Sequence, residues 1–251
     1  MRPLQTDLSI FNRFEFEKPP VGVKFLYFKP KGIKPLDKSL AFCETIKEAQ
    51  QRKSPFYFTK ENENCFGKVP LGMEKMPSWG KGGELGPGFE IFQEPRANTR
   101  IYQYVPQFPA GTVNYVVLSS LDKLTFEPDL LILMATPSQA EIVLRAMSYS
   151  TGQIWESKTM GVLGCAWIFV YPYQSGKVNY TVTGISFGMK AHEIFPEGWI
   201  LISIPWDWMP IITQNLKEMK WVLPSYTDGR GKYLKRKERL IEKLTKKSAN
   251  P

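Results

Sequence analysis

Prolines and aromatic residues recur along the chain, and together they limit how long its helices and strands can be. The sequence contains 20 Pro and 19 Gly, with 16 Phe, 11 Tyr and 7 Trp, among its 251 residues. Because proline interrupts helices and central strands, whereas aromatic side chains favour strands, this pattern predicts many short elements around bulky packing. The hydrophobic share of 43% is enough for a packed core and excludes disordered, collagen-like and disulfide-scaffold classes.

Apolar segments bounded by turn residues predict the strands. They lie at residues 21–28, 56–59, 112–119, 130–136, 165–171, 178–185 and 199–205. Apolar residues at helical spacing predict helices at residues 35–53, 137–150 and 210–221. The strand–turn–helix order at residues 130–150 is half of a βαβ unit, and residues 67–88, with seven glycines, predict a long loop. We therefore expect an α/β or α+β fold, a single domain with a mixed β-sheet flanked by helices.

The net charge of +9 is concentrated in the C-terminal tail. Residues 230–247 contain nine Lys or Arg and two Glu, a net charge of +7, so the rest of the chain carries only +2. We predict one globular domain at residues 1–229 and a basic amphipathic helix at residues 230–251. This helix either binds nucleic acid, an anionic membrane or an acidic partner, or packs on the domain with its charges in water, which is the interpretation we favour.

Three cysteines and an N-terminal segment without an apolar leader predict a reduced, cytoplasmic protein. Residues 159–176 are uncharged, but their glycines, proline and polar residues make a transmembrane segment improbable, and we assign none.

Cys43, Cys65 and Cys165 are the first candidates for a functional site. Their spacings match no zinc ribbon, ferredoxin motif or CxxC pair. One interpretation is that each is a small buried hydrophobe. The other is that the three thiolates converge on one cofactor, either a [4Fe–4S] cluster with one open iron or, through one axial thiolate, a haem or another tetrapyrrole.

Further residues are candidates for the site because they lie close to Cys65 in the sequence or because they are charged within an apolar segment. Asn64, Gly67 and Met73 belong to the segment around Cys65, in which Gly67 lets the backbone approach a ligand closely. Lys24 is a lone charge in an apolar strand, so it either faces solvent or anchors an anion in a pocket. The only histidine, His192, excludes metal sites that need two or three histidines, and we interpret it as a structural or surface residue.

The ordered set of motifs resembles the uncharacterised family named domain of unknown function 169 (DUF169), over about residues 19–223. The resemblance rests on PPVGVKF at residue 19, Cys43 with its helix, NCFGKVPLG at residue 64, FEPDLLIL at residue 126, PSQA at residue 137, and the segment from Gly164-Cys165 to PYQSGKVN at residue 172. Members are found mainly in anaerobic archaea and bacteria and are similar in placing cysteines at the three positions present here.

The resemblance implies a cofactor-binding protein of anaerobic metabolism in which Cys43, Cys65 and Cys165 bind a metal cofactor. It does not imply a reaction, so whether the chain is an enzyme stays open. The sequence departs from the family at two points: Thr183-Gly184 stands where a further cysteine is expected, and Ser186 stands where the family often has arginine. The alternatives are a non-metal small-molecule or tetrapyrrole binding module, and an interaction protein that uses its basic tail for nucleic acid.

Overall fold

A computed structural model describes residues 1–249 and contains one seven-stranded mixed sheet in the order β2-β3-β4-β1-β5-β7-β6. The strands are β1 (Val21–Leu26), β2 (Lys34–Pro35), β3 (Phe56–Phe58), β4 (Tyr115–Ser120), β5 (Leu130–Ala135), β6 (Asn179–Val182) and β7 (Ile200–Pro205). The β2–β3 pair is parallel and every other neighbouring pair is antiparallel.

Short helices and turns of helix connect the strands. The α-helices are α1 (Glu44–Gln51), α2 (Ser78–Gly82), α3 (Leu85–Gly88), α4 (Pro95–Tyr102), α5 (Pro137–Tyr149), α6 (Tyr171–Ser175), α7 (Phe187–Ala191), α8 (Met209–Glu218), α9 (Pro224–Thr227) and α10 (Gly229–Ala249). Three turns of 3-10 helix (Ser9–Phe14, Leu121–Lys123, Trp206–Trp208) and a π-helical turn (Ala166–Val170) complete them. The expected single domain with a mixed sheet and flanking helices is confirmed as a fold class.

Both faces of the central strand β5 are buried, which explains why its sequence is continuously apolar. In β5, Leu130 and Ile132 contact one core, while Leu131 and Leu133 contact a second core on the other face. Successive side chains of a strand point to opposite faces, so a strand covered on both sides needs apolar residues at every position. Helices α5 and α8 cover the second face, and α1 with the π-helical turn covers the first.

Several predicted elements differ from the observed ones. The helix predicted at residues 35–53 begins only at Glu44, because Lys34–Pro35 pairs with β3 as a strand. The strand predicted at 165–171 is wrong, since this segment is helical and buried all round, and periodicity alone does not separate such a segment from a buried strand. The predicted half βαβ unit is wrong because β5 is antiparallel to both of its neighbours. The long loop predicted at residues 67–88 contains the short helices α2 and α3.

The basic tail is helical, as predicted, but it does not pack its apolar side against the domain. Every residue from 229 to 248 is exposed in helix α10. None of the helices in residues 1–249 has an apolar stretch long enough to cross a bilayer.

Candidate cofactor site

All three cysteines line one cavity of about 510 Å³, which we call the cysteine cavity. Cys43 is the residue before helix α1, Cys65 lies in the loop after β3, and Cys165 precedes the π-helical turn. The three residues therefore come from three separate segments of the chain. All three thiols are free.

The segments that carry Cys43 and Cys65 are joined by backbone hydrogen bonds. The N–H of Leu40 donates to the carbonyl of Asn62 at 2.8 Å, and the N–H of Asn64 donates to the carbonyl of Leu40 at 3.2 Å. The side-chain amide of Asn64 also donates to the carbonyl of Ser39 at 3.0 Å. These bonds fix the positions of the first two cysteines relative to each other.

The carboxylate of Glu63 strengthens the same connection from inside the protein. Its Oε1 accepts the backbone N–H groups of Phe42 and Gly67, both at 3.2 Å, and its Oε2 accepts the N–H of Lys68 at 3.3 Å. Glu63 is buried, with only 3% of its surface exposed. A buried carboxylate is tolerated because these donors replace its lost hydration. Burial nevertheless raises the pKa of Glu63 above its ordinary value.

Gly67 is required by the close packing of these two segments. A Cβ atom at this position would lie 2.6 Å from Cβ of Phe42 and 2.9 Å from Oε1 of Glu63. Both distances are far below van der Waals contact, so only glycine lets the Cys65 loop approach the residue that precedes Cys43.

Phe42 also connects the first cysteine with the third. Its ring stacks on Phe169 with a centroid distance of 3.8 Å, and both side chains are almost fully buried. Phe42 is adjacent to Cys43 in the chain, and Phe169 lies in the π-helical turn that follows Cys165. The stacked pair thus supports two walls of the cysteine cavity.

The backbone before Cys165 has an unusual conformation. Leu163 has a φ of 51°, in the left-handed region that leucine rarely adopts. At Gly164 a Cβ atom would lie 2.5 Å from Oγ of Ser186, so glycine allows this segment to pack against helix α7. Strained residues and π-helical turns are often found at functional sites, and here both flank Cys165.

The electrostatic environment of the cavity disfavours thiolates in the metal-free protein. Desolvation by surrounding protein atoms is the first cause of the raised pKa of all three thiols, including that of Cys65, whose residue as a whole is exposed. Negative neighbours are a further cause: Cys65 raises the pKa of Cys43, and Glu63 and Glu44 raise that of Cys65. The pKa of Cys165 is raised by Cys43, Glu63 and Cys65 together. Acidic groups are therefore concentrated around the cavity, an arrangement that a cationic centre would stabilise.

We expect the metal-free protein to react slowly with a thiol-alkylating reagent near pH 8, because only thiolates react at a useful rate. Cys65, the exposed cysteine, should be modified first, and Cys43, which is buried, much later. All rates should rise as the pH increases beyond the ordinary thiol range, since the raised pKa values delay ionisation. Peptide mass spectrometry at several pH values measures this order, and rapid labelling of Cys43 at neutral pH would contradict it.

Two buried polar side chains on the cavity wall have atoms without a hydrogen-bond partner. These atoms are Oδ1 of Asn98 and Oγ of Ser186, whose side chains are 1% and 5% exposed. The amide nitrogen of Asn98 donates to the carbonyl of Gly83 and to the hydroxyl of Tyr102, which fixes the orientation of its oxygen. Unsatisfied buried atoms are costly, so their presence at a cavity points to a bound group.

The rim of the cavity is aromatic and includes the single histidine. Phe66 pairs with Trp79 at 5.6 Å between ring centroids, and Phe89 pairs with Phe187 at 5.5 Å. His192 also lines the cavity, with its Nδ1 3.9 Å from a carboxylate oxygen of Glu44. Apolar walls with few polar groups are typical of small-molecule sites.

The other predicted site residues lie in three different places. Asn64 and Gly67 line the cysteine cavity, whereas Met73 packs against the first core. Lys24 lies in a separate ion pair, donating to Oδ1 of Asp129 at 2.5 Å. Within residues 1–249, no three His, Cys, Asp or Glu side chains are gathered closely enough to hold a single metal ion.

Glu63, Asn98 and Ser186 were not predicted as parts of the site, and His192, predicted as a structural or surface residue, is exposed and also lines the cavity. Glu63 is two residues before Cys65, and this closeness in sequence is only a weak indication that Glu63 belongs to the site. Asn98 and Ser186 are far from every cysteine in sequence, so nothing in the sequence could have placed them at this cavity.

Comparison with models of known protein families shows to which family the chain belongs. The family model DUF169, described as "Uncharacterised ArCR", matches residues 10–215. The chain belongs to the DUF169 family. All three cysteines and all the cavity residues named above lie inside the matched part of this DUF169 chain, whereas helix α10 lies outside it. Neither a curated protein nor a solved structure is significantly similar to the chain.

Proposed function

We propose that this DUF169 protein binds a cofactor through Cys43, Cys65 and Cys165, and that the cofactor is a [4Fe–4S] cluster. The observation that carries the proposal is that the only three cysteines of the chain, from three distant segments, line one cavity. Isolated structural cysteines have no reason to share a cavity, whereas thiolate ligands of one cofactor must do so.

The donor set and its surroundings fit such a cofactor. In an iron–sulfur cluster each cysteine binds a different iron atom, so the three sulfurs need not meet at one point as they must around a single ion. The positive iron–sulfur core would also offset much of the charge of the three thiolates, which burial and the neighbouring Glu63 and Glu44 disfavour in its absence. Metal binding to thiols releases their protons, and affinity should therefore increase with pH.

The protein's own residues would bind, orient and shield the bound groups. The Ser186 hydroxyl can donate a hydrogen bond to a sulfur atom, and Oδ1 of Asn98 can accept one from a small substrate. The aromatic pairs at the rim limit the access of water. A cluster with three protein ligands would supply one open iron that could serve as a Lewis acid toward a small substrate.

Anaerobic reconstitution with ferrous iron and sulfide tests the proposal. We expect about four iron and four sulfide per chain, with a loss of iron affinity of more than about tenfold in each of Cys43→Ala, Cys65→Ala and Cys165→Ala, since even changes beside metal ligands have effects of this size. Met76→Leu removes a sulfur that does not line the cysteine cavity and should retain full iron content. Full iron content in all three cysteine variants would refute the proposal.

A haem or another tetrapyrrole is the second candidate, because the cavity is largely apolar and has aromatic pairs at its rim. A single axial thiolate would suffice for this ligand. The same variants distinguish the two candidates: a cluster depends on all three cysteines, whereas a tetrapyrrole depends strongly on one. The absorption spectrum and mass spectrometry of material bound to the anaerobically purified protein identify which ligand is present.

A further inference from the structure

Helix α10 carries a row of large apolar side chains that nothing in the described chain covers. Tyr233, Leu234, Leu240, Ile241 and Leu244 are each between 41% and 55% exposed. The helix is 21 residues long, or about 32 Å at 1.5 Å per residue. An uncovered apolar row of this length on a highly charged helix indicates a binding surface.

The residues of α10 are sorted by chemistry around the helix axis. At about 100° per residue, the five apolar side chains fall on an arc of about 120°. A second arc of similar width, on the other side of the helix, carries seven cations: Lys232, Lys235, Arg236, Arg239, Lys243, Lys246 and Lys247. Glu238 and Glu242 lie together on one border between the arcs. The helix thus has one apolar face and one strongly cationic face.

We propose that α10 binds the surface of an anionic phospholipid membrane, lying flat in the interface with its apolar arc among the acyl chains. The cationic arc then faces the negatively charged headgroups, which provides the charge complementarity. Arg230 and Lys237, which lie within the apolar arc, have stems long enough to reach the headgroups.

Two other partners, a nucleic acid and a second copy of the chain, would interact favourably with only part of this helix. A nucleic acid would pair its phosphates with the cationic arc but leave all five apolar side chains in water. A second copy of the chain would cover the apolar arcs against each other, but it would also bury the charges of Arg230 and Lys237 in an apolar seam. Only a membrane surface satisfies both arcs and accommodates Arg230 and Lys237.

Vesicle co-sedimentation of the full chain tests this proposal, which is independent of the cysteine cavity. The probes are vesicles of phosphatidylcholine alone and of phosphatidylcholine with about 30% phosphatidylglycerol, a composition chosen to give the negative surface that cationic helices recognise. We expect partitioning onto the anionic vesicles to be at least about tenfold stronger, and to weaken as salt is added.

Two sets of variants separate the contributions of the arcs. Leu240→Ala with Leu244→Ala, and separately Lys235→Glu with Lys243→Glu, should each reduce binding at least about fivefold, because apolar burial and charge attraction both contribute. Lys18→Glu with Lys60→Glu makes the same charge change on exposed residues of the domain and should leave binding nearly unchanged. All these residues are exposed, so the thermal midpoint of the domain should not change.

Three results would overturn the proposal. The first is equal or absent binding to the two kinds of vesicle. The second is tight binding of a DNA or RNA duplex that the leucine substitutions do not affect, which would assign the helix to nucleic acid. The third is a stable dimer in sedimentation analysis that Leu240→Ala with Leu244→Ala dissociates, which would assign it to a second copy of the chain.

Discussion

Phe42→Ala should lower the free energy of unfolding of the metal-free protein by about 3–5 kcal/mol, the usual cost of removing a fully buried aromatic ring. Phe42 is 1% exposed, stacks on Phe169 and packs against Phe58 with a centroid distance of 5.2 Å. The cavity left behind would loosen the support of both Cys43 and Cys165. Urea unfolding under reducing conditions measures the stability, and iron titration of the same sample measures the expected loss of cofactor affinity.

Phe28→Ala provides the matched control for this experiment. Phe28 is 78% exposed, so the same substitution removes little buried surface there and should change stability by less than about 0.5 kcal/mol. Phe42→Leu, which keeps part of the apolar volume, should fall between the two alanine variants. If Phe42→Ala were no more damaging than Phe28→Ala, the packing described between the first and third cysteine segments would be incorrect.

Glu63→Ala should lower the free energy of unfolding by about 3 kcal/mol, because it leaves buried backbone N–H groups without acceptors. The affected groups are those of Phe42, Gly67 and Lys68, which connect the segments of Cys43 and Cys65. Cofactor affinity should fall as well, since the two cysteines lose their fixed relation. Chemical unfolding with and without reconstituted iron measures both effects.

Glu63→Gln tests whether the acceptor or the charge of this side chain matters. Its remaining oxygen can still accept from Phe42 and Gly67, so we expect a loss of only about 1 kcal/mol at neutral pH. Because burial raises the pKa of Glu63, the folded state holds this proton more tightly than the unfolded chain does. The contribution of this proton to the free energy of unfolding is complete below the ordinary glutamate pKa of about 4.3. It is lost as the pH rises through the raised pKa that Glu63 has in the folded protein.

Removing the titrating group should therefore flatten this part of the stability profile in Glu63→Gln. A glutamine variant as unstable as Glu63→Ala, with an unchanged pH profile, would show that the carboxylate does not connect the two cysteine segments.

The sequence predicts the central sheet well, for a physical reason. A strand such as β5 is buried on both faces, so its apolar residues form a short uninterrupted run between turn residues. The segment after Cys165 has the same appearance because it is also fully buried, and yet it is helical. Single-sequence periodicity cannot separate these two cases, whereas pairing with β-strand neighbours does.

The candidate site is predictable only in part. Because cysteines are few, Cys43, Cys65 and Cys165 are recognisable as candidates, but whether they share a cavity depends on the tertiary fold. Asn98 lies on helix α4, outside the loop predicted at residues 67–88, so no pattern in the sequence connects it with the three cysteines. Burial of an unpartnered oxygen is a property of packing, which a sequence pattern does not contain.

The position of the basic tail shows the same limitation. Its amphipathic helix follows directly from the spacing of its apolar and charged residues, and this part of the prediction is confirmed. Whether the apolar side is covered depends on the shape of the domain surface, and the structure leaves it exposed. The exposed apolar side does not agree with the favoured prediction of a terminal helix packed on the domain, and it leads instead to the proposal that the helix binds a membrane.

Diffraction at the iron absorption edge, from anaerobically grown crystals of the reconstituted protein, tests most directly whether the three thiols bind one cluster. We predict anomalous density for iron inside the cysteine cavity, with bonds of about 2.3 Å to the sulfur atoms of Cys43, Cys65 and Cys165. Iron located elsewhere, or an organic ligand in the cavity beside three free thiols, would contradict it.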